Sequence, residues 1–254
     1  MCVELFSLRD KVAVVTGAGK GLGKSMAIAL AESGASVAVV SRTQSEVEET
    51  AKEIRDNGGN ALPLVVDVTK EVEVVGMVER VMSEYKSIDI LVNNVGAFKG
   101  GPFIESTIED WKKMMNINLT GTYHCSKIVG MRMIEKQKGK IINVSSALGV
   151  LGASGSSAYC VSKGGVIQLT RALAVEWAKY NINVNTIAPY SMETETTKSM
   201  MEDEKIKKAV LSKIPLKRLG QPADLSGVVV FLAASASDYI TGQVIFVDGG
   251  FSVQ

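Results

Sequence analysis

Seven short apolar runs, most of them rich in β-branched residues, alternate with longer helical patterns from one end of the chain to the other. This alternation limits the fold more than any other feature. The runs are Lys11–Thr16, Ser36–Val40, Ala61–Val66, Ile88–Asn94, Gly139–Ser145, Ile182–Ala188 and Gln243–Gly249. Most are apolar at nearly every position instead of every second one, which predicts strands covered on both faces. Segments of helix length fall between them: Leu22–Ser33, Ser45–Asn57, Val72–Tyr85, Trp111–Gln137, Ala158–Lys179 and Ala223–Ala234. Such alternation predicts an α/β fold, a doubly wound parallel sheet of seven strands with helices on both faces. The chain has 254 residues, 46% of them hydrophobic, and no repeat or linker divides it, so one domain over residues 1–254 is expected.

One stretch breaks the pattern. Ser191–Pro215 is charged and Met-rich, and it follows the sixth strand. It reads as a solvated surface helix and also as a lid, over about residues 190–215, at the carboxyl end of a strand. The two readings are compatible.

Charge excludes some partners. Lys plus Arg number 28 against 27 Asp plus Glu, a net +1, so no nucleic acid or membrane held by bulk charge is expected. No apolar run approaches the roughly 20 residues of a membrane span, and charges interrupt the N-terminal stretch where a signal peptide needs an apolar core. Cys2, Cys125 and Cys160 are odd in number and lack C-x-x-C spacing, which fits buried thiols in a reducing compartment. A cytoplasmic protein is the expectation.

The first strand ends in "TGAGKGLGK", Thr16–Lys24, which opens the first helix. Gly17, Gly21 and Gly23 permit a tight turn and a close backbone approach, with the helix N-terminus facing a pyrophosphate. A strand before and a helix after are the context this motif requires, so nucleotide binding is expected. About 20 residues on, an NAD site usually carries an acid for the ribose hydroxyls. Ser41 stands there instead, followed by Arg42, and Lys20 in the loop adds a second cation. A missing acid beside two cations suits a 2′-phosphate, so NADP is expected over NAD.

Tyr159 and Lys163 lie four residues apart in "SAYCVSKGG", one turn from each other on one helical face. Such a pair is most often a solvated surface. The chain has one histidine, His124, with no ligand-spaced Cys or carboxylate, so it reads as structural and no metal site is expected.

Taken together these residues resemble the short-chain dehydrogenases/reductases. The pattern T-G-x-x-x-G-x-G matches Thr16–Gly23, with Gly19 and Leu22 inside it. "NNVG", Asn93–Gly96, stands for N-N-A-G, and Tyr159-x-x-x-Lys163 is also matched. Asn118 in "NINLTG" and Ser146, thirteen residues before Tyr159, match the remaining active-site positions. The resemblance implies a catalytic set of Asn118, Ser146, Tyr159 and Lys163. Tyr159 would exchange a proton with the substrate oxygen and Ser146 would hold that oxygen. Lys163 would lower the phenol pKa and hold the nicotinamide ribose, and Asn118 would position a water. It further implies cofactor contacts at Asp67, Val68, Asn94, Gly96, Pro189 and Met192, and a homotetramer. Where the family has Pro-Gly, this chain has Pro189-Tyr190; Tyr190 either lines the substrate pocket or reflects a different entry to the lid. Within the family it is similar to gluconate 5-dehydrogenase-like enzymes and to 3-oxoacyl carrier-protein reductases. Two substrate readings follow: the ketone of a small polar sugar acid, or an acyl thioester. A nucleotide-binding regulator without catalysis is the rival of another class.

Overall fold

Valine and isoleucine dominate the strands that lie deepest. Val12–Thr16 (β1), Ile90–Asn93 (β4) and Gly139–Val144 (β5) are buried at every position. Ser36–Ser41 (β2) and Ile182–Pro189 (β6) are nearly so. The edges are less covered: Asn60–Val65 (β3) is exposed at both ends and Val244–Val247 (β7) is half-buried throughout. Pro63 sits in β3, where a missing backbone donor is tolerated because one side has no partner strand. The order is β3-β2-β1-β4-β5-β6-β7 and every pairing is parallel. The computed structural model describes residues 2–198 and 202–254.

Helices cover both faces, as the continuous apolar strands require. Along β1, Ala13 and Val15 face one core, while Val12 and Val14 face the other. The first core lies under Gly21–Glu32 (α2), Gln44–Asp56 (α3) and Ser226–Ala233 (α10). The second lies under Glu71–Tyr85 (α4), Gly121–Lys136 (α6) and Ser157–Trp177 (α7). A four-residue helix, Cys2–Leu5 (α1), precedes β1.

The long helix expected over Trp111–Gln137 starts earlier and is not regular. Ile108–Met115 (α5) begins behind Thr107, whose Oγ1 accepts from the Asp110 amide at 3.1 Å. A π turn, Asn116–Thr120, then joins α5 to α6, and the Gly121 N–H reaches back five residues to the Asn116 carbonyl. One residue is thus inserted into the helical repeat, at the segment that carries Asn118.

The charged insertion forms Glu195–Lys198 (α8) and Glu204–Ser212 (α9). Asp203 caps α9, accepting from the Lys205 amide at 2.8 Å. Residues 199–201 of the expected lid lie outside the described residues. Among the described residues, no helix is long and apolar enough to cross a membrane.

Candidate active site

Strand order reverses between β1 and β4, which opens a crevice at the carboxyl ends of the sheet. The glycine loop enters this crevice and is held there by Asn94, just beyond β4. Its Nδ2 donates to the Thr16 carbonyl at 3.2 Å and the Gly17 carbonyl at 3.1 Å, and its backbone N–H donates to Thr16 Oγ1 at 3.1 Å. Gly23 lies beneath the loop, and a Cβ there would fall 2.5 Å from Asn94 Nδ2 and collide with the Gly17 carbonyl. Only glycine lets α2 seat so close. The helix begins with no side-chain cap and no acid in its first turn, so its amides are available to an anion.

A cleft of about 390 Å³ opens above this loop. Gly17, Gly19, Lys20, Gly21, Leu22, Ser41, Arg42, Asp67, Val68, Asn94 and Gly96 line it, all of them expected cofactor positions. Gly23, Tyr159, Lys163, Pro189 and Met192, expected there as well, do not. Pro189 closes β6. Met192 is buried, bridges to Gly220, and accepts the Thr197 hydroxyl on its carbonyl at 2.7 Å. Thr194 reaches the cleft in its place, and a Cβ on Gly21 would stand 3.7 Å from its methyl group. Glu46 of α3 is a second lining residue that sequence reasoning missed, because an acid on an amphipathic helix carries no motif.

The charges near Arg42, where β2 ends, form a small network. Arg42 is exposed, and burial of the Asp67 carboxyl is outweighed by two hydrogen bonds from Thr69 and the charge of Arg42, which hold it below its ordinary value. Lys20 pairs with Glu46 at 2.8 Å, and that bond raises the lysine's pKa, with Glu195 adding its charge.

At the other end, the two serines after β5 have separate tasks. Ser145 Oγ donates to the Lys163 carbonyl at 2.8 Å and ties α7 to the sheet. Ser146 Oγ accepts the Leu148 amide at 3.1 Å and hydrogen-bonds with the Tyr159 side chain. The thirteen-residue spacing therefore selects the serine that meets the tyrosine. Lys163 is almost fully buried and donates to the Val144 carbonyl at 2.9 Å. Its ammonium would stand 3.0 Å from a Cβ on Gly96, at the edge of the cleft. Asn118 is fully buried in the π turn. Its Oδ1 accepts from the Ala97 amide at 2.7 Å, and its Nδ2 donates to the Ala97 carbonyl at 3.0 Å and to Ser162 Oγ at 2.9 Å. Phe98 meets Tyr159 edge to face, with centroids 5.1 Å apart, another neighbour that no motif announced.

One electrostatic expectation is corrected. Burial raises the Tyr159 phenol above its ordinary value, and the Ser146 hydrogen bond opposes this without reversing it. The Lys163 nitrogen donates to the Val144 carbonyl and lies 6.0 Å from the ring centroid, and burial dominates the direction of the phenol's shift. Burial lowers Lys163 itself to about 8. The remaining candidates are structural: His124 Nδ1 donates to the Val68 carbonyl at 3.1 Å, and burial pushes the Cys125 thiol up to about 12.

A family model described as enoyl-(acyl carrier protein) reductase matches residues 17–252. A 2-dehydro-3-deoxy-D-gluconate 5-dehydrogenase of Escherichia coli (strain K12) is 40% identical over 252 residues, 99% of each chain. A 3-oxoacyl-[acyl-carrier-protein] reductase of Thermotoga maritima is 38% identical over 246 residues, 97% of this chain and 99% of its own. The crystal structure of a gluconate 5-dehydrogenase from Burkholderia cenocepacia, in complex with NADP and tartrate, matches with a TM-score of 0.96 at 33% identity, over 100% of both chains. The seven-stranded parallel sheet agrees with these matches: the chain is an oxidoreductase and belongs to the short-chain dehydrogenase/reductase family.

Proposed function

We propose that this chain interconverts a ketone and a secondary alcohol on a small polar substrate of the sugar-acid class, with NADP as the cofactor. The observation that carries the reading is buried Lys163 against Gly96, at the edge of a cleft that Arg42 and Lys20 also line, with Tyr159 one turn away on the same helix and paired with Ser146. The uncapped α2 amides and the cradle at Gly23 fit a pyrophosphate, and Arg42 and Lys20 suit a 2′-phosphate. The nicotinamide, when bound, supplies or takes up the hydride.

The chain's own groups manage the proton. Burial keeps Tyr159 protonated, so its hydroxyl is ready to donate to a carbonyl oxygen gaining negative charge, and to recover the proton in reverse. Ser146, fixed by Leu148, holds that oxygen and stabilises the developing charge. Lys163 is charged below about pH 8 and favours any negative charge that forms beside it. Asn118 clasps Ala97 and Ser162, which fixes the loop after β4 against α7 and leaves one lone pair on Oδ1 for a water.

Support for a sugar acid comes from the similarity to the Escherichia coli and Burkholderia enzymes. A second reading, a 3-oxoacyl thioester reductase, is favoured by the exposed Phe98, Phe103 and Ile104 after β4, which could meet an acyl chain. The complete Asn118–Ser146–Tyr159–Lys163 set argues against a regulator without catalysis. NADPH oxidation with a panel of keto-gluconates and an acyl thioester tests all three: turnover of a keto-gluconate supports the proposal, and activity confined to the thioester, or none, overturns it. A homotetramer is part of the same proposal, because Tyr123 and Met131 on α6 and Val161 and Val175 on α7 stand exposed.

A further inference from the structure

Ser41 leaves the end of β2 without an acid, yet a carboxylate arrives there from another element. Glu46 projects from the first turn of α3 towards Gly19. A Cβ placed on Gly19 would lie 2.9 Å from Glu46 Oε2 and 2.9 Å from Ser41 Oγ, so the two oxygens converge over the loop. The other oxygen, Oε1, holds the Lys20 ammonium at 2.8 Å. Glu46, Ser41, Lys20 and Arg42 all line the same cleft. The cation expected to receive a phosphate is therefore already engaged, and the acid that engages it faces the same space.

We propose that Glu46 sets how strongly this protein distinguishes NADP from NAD, by competing with a 2′-phosphate for Lys20 and by offering its carboxylate to an unphosphorylated ribose. The inference rests on the reading of the Ser41–Arg42 end as the ribose site. Lys20 is 57% exposed and Glu46 is 28% exposed, and an ion pair so open to water can exchange partners. A phosphorylated ribose draws Lys20 away and must tolerate the carboxylate left behind. A plain ribose leaves the pair intact and gains an acceptor. Arg42, the other cation, acts on the Asp67 carboxyl and, among the described residues, forms no ion pair with Glu46, so the preference is moderated and not abolished.

The test is Glu46→Gln, which keeps the shape and removes the charge. Dissociation constants for NADPH and NADH, read without substrate from tryptophan fluorescence, are expected to shift in ratio by about tenfold towards NADPH. A shift below about twofold overturns the proposal. Glu46→Ala, held to the same criterion, serves if the glutamine protein does not fold. In a Lys20→Ala background the NADPH gain should shrink to the part that comes from relieved carboxylate–phosphate repulsion, and a gain that persists in full overturns the competition for Lys20. A wild type that binds NADH more tightly would refute the NADP reading alone, since the role of Glu46 is judged by the change in ratio.

Discussion

Tyr190 and Phe251 stack face to face, with ring centroids 3.5 Å apart and planes 4° from parallel. Phe251 opens the C-terminal 3₁₀ turn, Phe251–Val253, so the tyrosine that replaces the family's glycine is joined to the end of the chain. It also lines a cavity of about 490 Å³ with Ile214, Pro215 and Phe246, separate from the cleft above the glycine loop. Of the two roles open to Tyr190 from sequence, lining the substrate pocket or marking a different entry to the lid, the stack on Phe251 favours the second, with the ring packed against the C-terminal turn. Tyr190→Gly should lower unfolding stability by about 2 kcal/mol, from lost stacking and burial, measured in urea. The ranking of ketones by kcat/KM should stay the same, and a reordering in favour of bulky ketones would return Tyr190 to the substrate pocket.

Tyr159→Phe removes a hydroxyl and little else, because the ring keeps its edge-to-face contact with Phe98. Turnover should fall by a factor on the order of 100 or more, while cofactor affinity holds within about twofold. Rate by NADPH absorbance and affinity by fluorescence check the two halves separately. Near-normal turnover would remove Tyr159 as the proton donor.

Lys163 gives a prediction about stability. Burial holds it at about 8, against 10.5 for the free group. Between those two values the unfolded chain carries a proton that the folded chain lacks, so stability rises with pH across that window. Below pH 8 the buried charge costs the fold about 3 kcal/mol relative to an exposed lysine. Lys163→Met relieves that cost, so the Tm of the variant minus that of the wild type should be largest near pH 7 and shrink towards pH 10. A difference that does not vary with pH would mean the ammonium is solvated.

For the cofactor, kcat/KM should favour NADPH over NADH by about tenfold or more, given charge-assisted contacts from Arg42 and Lys20. Added salt should narrow the gap, because both cations lie near the surface. Ser41→Asp combined with Arg42→Ile should reverse the order, adding repulsion as well as removing attraction. A wild type that prefers NADH would make Arg42 an ordinary surface arginine.

Light scattering at micromolar concentration should give a mass about four times 27.1 kDa, from association through the exposed apolar residues of α6 and α7 in a closed two-fold arrangement. A stable monomer would refute it.

What could be read from sequence was whatever the chain writes locally. Short apolar runs marked all seven strands, and the family resemblance, through its spacing to Tyr159, separated Ser146 from Ser145. The rest depended on approach in space. Glu46 and Thr194 reach the cleft from a helix and an insertion that carry no motif of their own. Phe98 meets Tyr159 across 61 residues of chain. The sign of the Tyr159 shift followed from burial, which spacing along a helix does not report.

The π turn between α5 and α6 makes chain length, as distinct from residue identity, a constraint on this enzyme. Deleting any one residue of Asn116–Thr120 would let the two helices fuse into a regular one, a local improvement in hydrogen bonding. It would also swing α5 about 100° around the axis relative to α6. Asn118 could then no longer reach Ala97 and Ser162 together. Substitutions can be absorbed elsewhere along this helix, whereas a single-residue shortening here exchanges a better helix for a broken site.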